Sequence, residues 1–196
     1  MTFETSPATG AEAVSASTVT SAEIVSFWRE AGPKAWFSKD DELDAEIRRR
    51  FLGIHEAAAE GLRSDWETSA EGALALLILL DQFPRNMFRG SPRMFASDPL
   101  ARALAAGAIV RGFDAQVPKE MRTFFYLPFM HSETMADQAR SVAFYKAIED
   151  ADSLKWADEH ADIIRRFGRF PHRNAVLDRA STPEERAFLD TGGFSS

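Results

Sequence analysis

The sequence predicts an all-α protein of helical hairpins stacked antiparallel, as a bundle or a solenoid-like array. Three observations carry this. Apolar residues recur three and four positions apart through most of the chain, the spacing of one helix face. Cap and stop residues bracket each such stretch. No segment shows the period-two alternation of a half-buried strand. The connections are short, and short loops make neighbouring helices antiparallel.

Thr20 and Glu23 have the spacing of a capping box, in which each side chain bonds the other's backbone N–H. The helix they open runs through Phe27 and Trp28 to a stop near Gly32-Pro33. Ser38 is expected to cap a second helix with the stripe Leu43, Ile47, Phe51, Ile54 and Ala58, closed by Gly61. A third begins near Thr68 and is apolar all round from Ala73 to Leu80, the signature of a central, buried helix. Asp98-Pro99 is a cap with proline at the first helical position, for a helix that carries Leu100, Leu104 and Ile109 and stops at Gly112. Pro118 opens another, ending near Pro128. Met135, Ala139, Val142 and Tyr145 mark one further stripe. Leu154, Ala157, Ala161 and Ile164 mark the next, with Gly168 as its stop. Thr182-Pro183-Glu184-Glu185 combines cap, first-turn proline and two acids. Residues 1–19, rich in Ala, Ser and Thr, lack the basic start and apolar core of a signal peptide and read as a disordered tail. That leaves residues 20–196 as one helical domain.

A chain of 196 residues buries roughly 70% of its unfolded surface and needs neither metal nor disulfide to fold. The absence of cysteine excludes disulfides, thiolate catalysis and Cys-ligated zinc, and suits the cytoplasm, where the protein is expected. The longest apolar stretch, Ala73 to Leu80, is too short to span a membrane. A net charge of −7 argues against a nucleic-acid partner. The charge is unevenly placed: Asp81 to Arg93 carries +2 and Arg165 to Arg179 carries +4, leaving −13 on the remainder.

Those two basic stretches hold a repeated motif. Gln82-Phe83-Pro84-Arg85-Asn86 is echoed by Arg169-Phe170-Pro171-His172-Arg173-Asn174, and between them Tyr126-Leu127-Pro128-Phe129-Met130 leads to His131-Ser132-Glu133. Each is expected to break a helix at its proline, which lacks an N–H and crowds the preceding turn, and to leave polar side chains at the break. These motifs, with Leu79-Leu80-Asp81 before the first and Arg166-Phe167-Gly168 before the last, resemble the bacterial family of domain of unknown function 924. The likeness runs from about Ile24 to Leu189 and includes Trp36-Phe37 and Ser181-Thr182-Pro183-Glu184-Glu185. The resemblance implies an all-helical, tetratricopeptide-like fold and carries no activity with it. The Trp, Gly and Tyr spacing of an ordinary tetratricopeptide repeat is absent.

Candidate chemistry falls at the three corners. Asp81 lies on the stripe Leu74, Leu77, Ile78 near an expected helix C-terminus, where a carboxylate meets the negative end of the macrodipole. Buried there, it needs a cation or a proton. It is either one side of a structural ion pair with Arg85 or an arginine of the last corner, or a general base or substrate anchor. The binding set is Asp81, Gln82, Arg85 and Asn86 from the first corner, His131 and Glu133 from the middle one, and Arg169, His172, Arg173 and Asn174 from the last. Arginine forks suit a carboxylate or phosphate, histidine titrates nearest to neutral pH, and Phe83, Phe129 and Phe170 can wall such a site. His131, Glu133, His172 and Asp81 are the catalytic candidates if there is a reaction. The acids and histidines equally serve as helix caps, and no His-Glu-x-x-His spacing exists, so no metal is assigned. No glycine-rich phosphate loop appears, so no cofactor is assigned. His160 is expected in the core, His55 on the surface, and Ser132 as a cap. Two functions stay open: a binder or processor of a small anionic ligand in a cleft formed by the corners, or a tetratricopeptide-like scaffold that binds a peptide and uses the corners only to hold its fold.

Overall fold

The computed structural model describes residues 19–193. Among them are nine α-helices and no strand: Ser21–Trp36 (α1), Asp41–Ala59 (α2), Ala70–Leu77 (α3), Phe83–Met87 (α4), Asp98–Val110 (α5), Thr123–Met130 (α6), Met135–Ala147 (α7), Ala151–Phe167 (α8) and Pro183–Asp190 (α9). The capping box expected at Thr20 with Glu23 forms, and the cap expected at Thr182 is a second box, closed by Glu185. Gly168 ends α8 in the left-handed region, at φ 69°, where a side chain would be strained. Of the tail expected over residues 1–19, only Val19 is described, and it packs against the core.

Four helix starts differ from expectation, one of them at α5, where Asp98 is the first helical residue rather than the cap, Ser97 precedes it and Pro99 stands second. Asp40 rather than Ser38 caps α2, its carboxylate accepting from the N–H groups of Glu42 and Leu43, because an acid there also meets the positive end of the helix dipole. Ser69 caps α3, the Thr68 hydroxyl being held by the Asp65 carbonyl. Pro118 precedes a 3₁₀ turn, Lys119–Met121, and α6 starts only at Thr123.

Two of the three prolines do not end their helices. Pro128 lies inside α6. At Pro84 the chain passes from α3 through a π-helical turn, Ile78–Gln82, directly into α4, with the Phe83 N–H reaching back to the Ile78 carbonyl. Pro84 has no N–H to offer, and the wider turn admits its ring without stopping the helix. The carbonyls this frees find side chains: Ser97 Oγ donates to Leu80 at 2.6 Å, His55 Nδ1 to Leu79 at 2.8 Å, and Arg85 to Asp81. His55 is therefore buried rather than exposed.

From Leu74 to Leu80 every residue is at most 2% exposed, so this stretch is the axis of the fold, packed by α1, α5 and α6. Beside it Trp28, Phe51 and Phe83 form an aromatic cluster, with Phe51 and Phe83 stacked at 5.0 Å and Trp28 edge-on to Phe83 at 5.5 Å. The short turn from Ile148 to Asp150 makes α7 and α8 a hairpin that packs against α6. The buried face of α7 is Gln138, Ser141 and Tyr145, while Met135 is exposed. Gln138 is drawn inward because its amide closes the carbonyls of Met130 and Ser132, at 2.7 Å each, beyond the end of α6. Ile163, Ile164 and Phe170 form a second, smaller core with Phe188 of α9. No helix among the described residues is long and apolar enough to cross a membrane.

Candidate functional site

The three corners, far apart in sequence, meet around the π turn. Asp81 stands at its centre, 1% exposed. Its Oδ1 lies 2.8 Å from His131 Nδ1 and 3.6 Å from Arg85 Nη1, and its Oδ2 accepts from Gln82. A buried carboxylate so surrounded stays charged: burial alone would raise its pKa, but Arg85 and His131 overcome that and bring it to about 2. His131 Nδ1 must then carry the proton, leaving Nε2 as the ring's acceptor. Burial, and after it Arg85, depress the His131 pKa, so the ring is neutral at neutral pH.

Arg85 also reaches forward to the start of α5, where its Nη1 and Nη2 each donate to one oxygen of Asp98 at 3.1 Å. Arg173, from the last corner, approaches the same carboxylate only to 3.7 Å. Its guanidinium lies between the rings of Phe95 and Phe170, 4.6 and 4.5 Å from their centroids. The residue is 7% exposed and its Nε–H has no hydrogen-bond partner. Burial, with Arg85 adding repulsion, brings the Arg173 pKa down to about 10. His172 packs on the other neighbour of this cluster, its ring 5.5 Å from Phe170, and burial lowers its pKa to about 4.

Glu133 ties the middle corner to the last. Its Oε1 accepts the Phe170 N–H at 2.8 Å, and Arg179 forks onto both oxygens at 2.8 and 3.0 Å. Burial opposes its ionisation, but Arg179 and the Phe170 N–H prevail and lower its pKa.

The remaining expected residues are turned elsewhere. Arg169 forks onto Glu185 at 2.6 and 2.8 Å, and Asn174 Nδ2 donates to Glu185 at 3.1 Å and to Ser181 at 3.0 Å. Asn86 Nδ2 donates to Asp44 of α2 at 2.7 Å, where Arg89 also binds. Arg169, Asn86 and Asn174 thus fasten the helices around the cluster, the two asparagines giving their amide N–H groups to Asp44 and to Glu185 with Ser181. Ser132 donates to Asp137 at 2.7 Å and Thr134, not Ser132, caps α7. His160 is buried, its Nδ1 on the Trp156 carbonyl at 2.7 Å. Among the described residues no three His, Asp or Glu side chains are grouped to hold a metal ion.

Sequence reasoning passed over Asp98, Phe95 and Arg179. Asp98 looked like a helix cap, Phe95 had no motif, and Arg179 was only part of a basic stretch. The surplus of arginines in both basic stretches was the available signal that buried acids elsewhere had to meet them. Glu185 was read as a first-turn acid alone, yet it is 2% exposed and accepts from Arg169, Asn174 and the Thr182 N–H. Arg169 holds its pKa down to about 2, against the upward push of burial. Glu185→Gln is expected to lower the unfolding free energy, because the fork from the partly exposed Arg169 loses the charge it faces. Hydrogen exchange should quicken first between residues 169 and 190, and unfolding in urea gives the magnitude.

Fold and cluster together define an all-helical protein whose chemistry-bearing residues come from three proline-containing stretches and gather around one buried aspartate. The family model described as bacterial protein of unknown function (DUF924) matches residues 24–193, and the chain belongs to that family. It is similar to a solved structure, the protein of unknown function ATU0120 from Agrobacterium tumefaciens, at 50% identity and a TM-score of 0.85, over 88% of this chain and 97% of that one. No curated protein matches the chain.

Proposed function

We propose that the three corners bind a small anionic ligand, a carboxylate or a phosphate, with Arg173 as its principal contact. The observation that carries this is the poor satisfaction of a buried cation. Arg85 already occupies both oxygens of Asp98, so Arg173 is left at 3.7 Å with an unbonded Nε–H. A buried charge in that state is unfavourable, and an anion would supply both the charge and the acceptors. Arg85 is the second cation within reach. His131, oriented by Asp81, is the group that exchanges a proton with the ligand, and the neutral His172 is the second candidate. The π turn beneath Asp81 supports the reading, since such turns recur at functional sites.

The test replaces Arg173 by Met, which keeps an unbranched stem between Phe95 and Phe170. If the guanidinium serves a ligand, R173M melts at the parent temperature or above it, because a poorly paired buried charge is gone. Inorganic phosphate and malonate should stabilise the parent protein saturably and leave R173M unaffected. A lower melting temperature for R173M, with no stabilisation of the parent by either anion, would assign the corners to architecture. The rival reading, a tetratricopeptide-like scaffold for a peptide, draws on one observation. An open groove of about 1010 Å³ runs along α8 beside Phe188 and includes the half-exposed Trp156, away from the three corners.

A further inference from the structure

A second cleft, of about 420 Å³, lies between the end of α2 and the start of α5, behind the π turn. His55 forms part of its wall although the residue is 6% exposed. The partner of His55 Nδ1 is the Leu79 carbonyl, at 2.8 Å, which can only accept. The Nδ1 proton is thereby fixed and Nε2 carries the lone pair, with no hydrogen-bond partner among the described residues. The Ser97 hydroxyl, also on the wall, has given its hydrogen to Leu80 at 2.6 Å and keeps its acceptor capacity. Glu56 and Glu60 stand on the rim, and the side chain of Glu60 has neither ion pair nor hydrogen bond among the described residues. Arg93, the one cation on the wall, is engaged with Glu56 at 3.0 Å and stacks over Phe88 at 3.9 Å. The two buried donors are committed, whereas His55 Nε2, the Ser97 oxygen and the Glu60 carboxylate are not. Ala59, Ala96 and Leu100 complete the wall with apolar surface.

We infer that this cleft is a binding site for a small alkylammonium ion, with His55 Nε2 accepting an ammonium N–H, Glu60 countering the charge and the alanine and leucine side chains receiving the hydrocarbon. Burial keeps the His55 ring in the neutral form such an interaction requires, lowering its pKa despite the help of the Leu79 carbonyl. The site is separate from the anion cluster and does not depend on it. Arg93 on Phe88 and Glu56 shows that an aromatic face and a carboxylate already hold one cation at this rim.

The experiment titrates the full chain with n-butylammonium chloride, and in parallel with n-butanol, following the methyl resonances of Ala59 and Ala96. The expected result is a saturable displacement with the ammonium compound and none with the alcohol. H55N keeps an amide N–H where Nδ1–H was, so the Leu79 carbonyl stays bonded, but it removes the Nε2 acceptor. Binding should weaken by roughly tenfold, the effect of one hydrogen bond to a charged group. E60Q, at an exposed position, should fold as the parent does and weaken binding as well, and it decides the matter if H55N does not fold. The inference is overturned if butylammonium leaves both methyls unmoved, if butanol moves them equally, or if E60Q and a folded H55N bind as the parent does.

Discussion

Asp81→Asn is expected to lower the unfolding free energy by about 3 kcal/mol at pH 7, the scale for removing one partner from a buried ion pair. The substitution keeps the size of the side chain, so packing is little changed. What it removes is the charge that Arg85 and the His131 N–H both face. Urea unfolding of parent and variant gives the number directly. The pH dependence supplies an independent check. Asp81 titrates at about 2 in the folded protein, against an ordinary 3.8. A carboxylate with a depressed folded pKa stabilises fully above its unfolded value, and the contribution disappears as pH falls from about 4 toward 2. For this shift the contribution is about 2 kcal/mol. D81N should lack that component of acid sensitivity while remaining less stable than the parent at neutral pH. A variant with parental stability at pH 7 would mean that the charge of Asp81 does not hold the three corners.

The second large effect lies at milder pH. Burial lowers the pKa of His160 to about 3 and of His172 to about 4, from an ordinary 6.5. An unfolded chain binds protons at these histidines below about pH 6.5, whereas the folded one excludes them until its own lower values are reached. Stability therefore falls as pH drops through that window, by about 1.4 kcal/mol per pH unit for each histidine. The two together remove about 4 kcal/mol by pH 5, a large part of what a domain of this size has. The parent protein should thus lose most of its stability between pH 6.5 and 4, the carboxylates adding to the loss only toward the lower end of that window. His160→Asn retains a donor for the Trp156 carbonyl and has no titratable group. Its stability curve should be flatter by about one proton's slope over the same window. Unfolding free energies that stay level from pH 7 to pH 5 would show that the rings are hydrated in the folded state.

Both effects depend on burial, and burial is where sequence and structure part. The amphipathic stripes, the capping boxes at Thr20 and Thr182, the stop at Gly168 and the uniformly apolar stretch ending in Leu80 are set by contacts within a few residues. Helix periodicity and cap chemistry are local, so the all-α class and most element positions follow from the chain alone. Asp81 was recognisable for the same reason, as a carboxylate on an apolar stripe beside a proline. The imbalance of arginines near the corners also pointed to acids that had to come from elsewhere.

The choice of partners was decided only in three dimensions. Arg85 and Arg173 have similar sequence contexts, after Phe-Pro and before Asn with only His172 inserted in the second, yet Arg85 takes both oxygens of Asp98 and Arg173 is left between two phenyl rings. Asn86 and Asn174 turn to Asp44 and Glu185 because α2 and α9 bring those acids alongside. His55, expected on the surface, and Gln138, a polar residue outside the expected apolar stripe of its helix, are buried because carbonyls at the ends and turns of other helices need donors. An unpaired backbone carbonyl in the core is costly, and which side chain closes it depends on which helix packs there. Pro84 carries the same lesson. Alone it signals the end of a helix, but with Ser97, His55 and Arg85 in reach the chain widens into a π turn and continues. Local sequence determined the helices and the polar residues at their corners; the packing of one helix against another decided which charges meet, because pairing energy depends on distance and solvent exposure that no local pattern encodes.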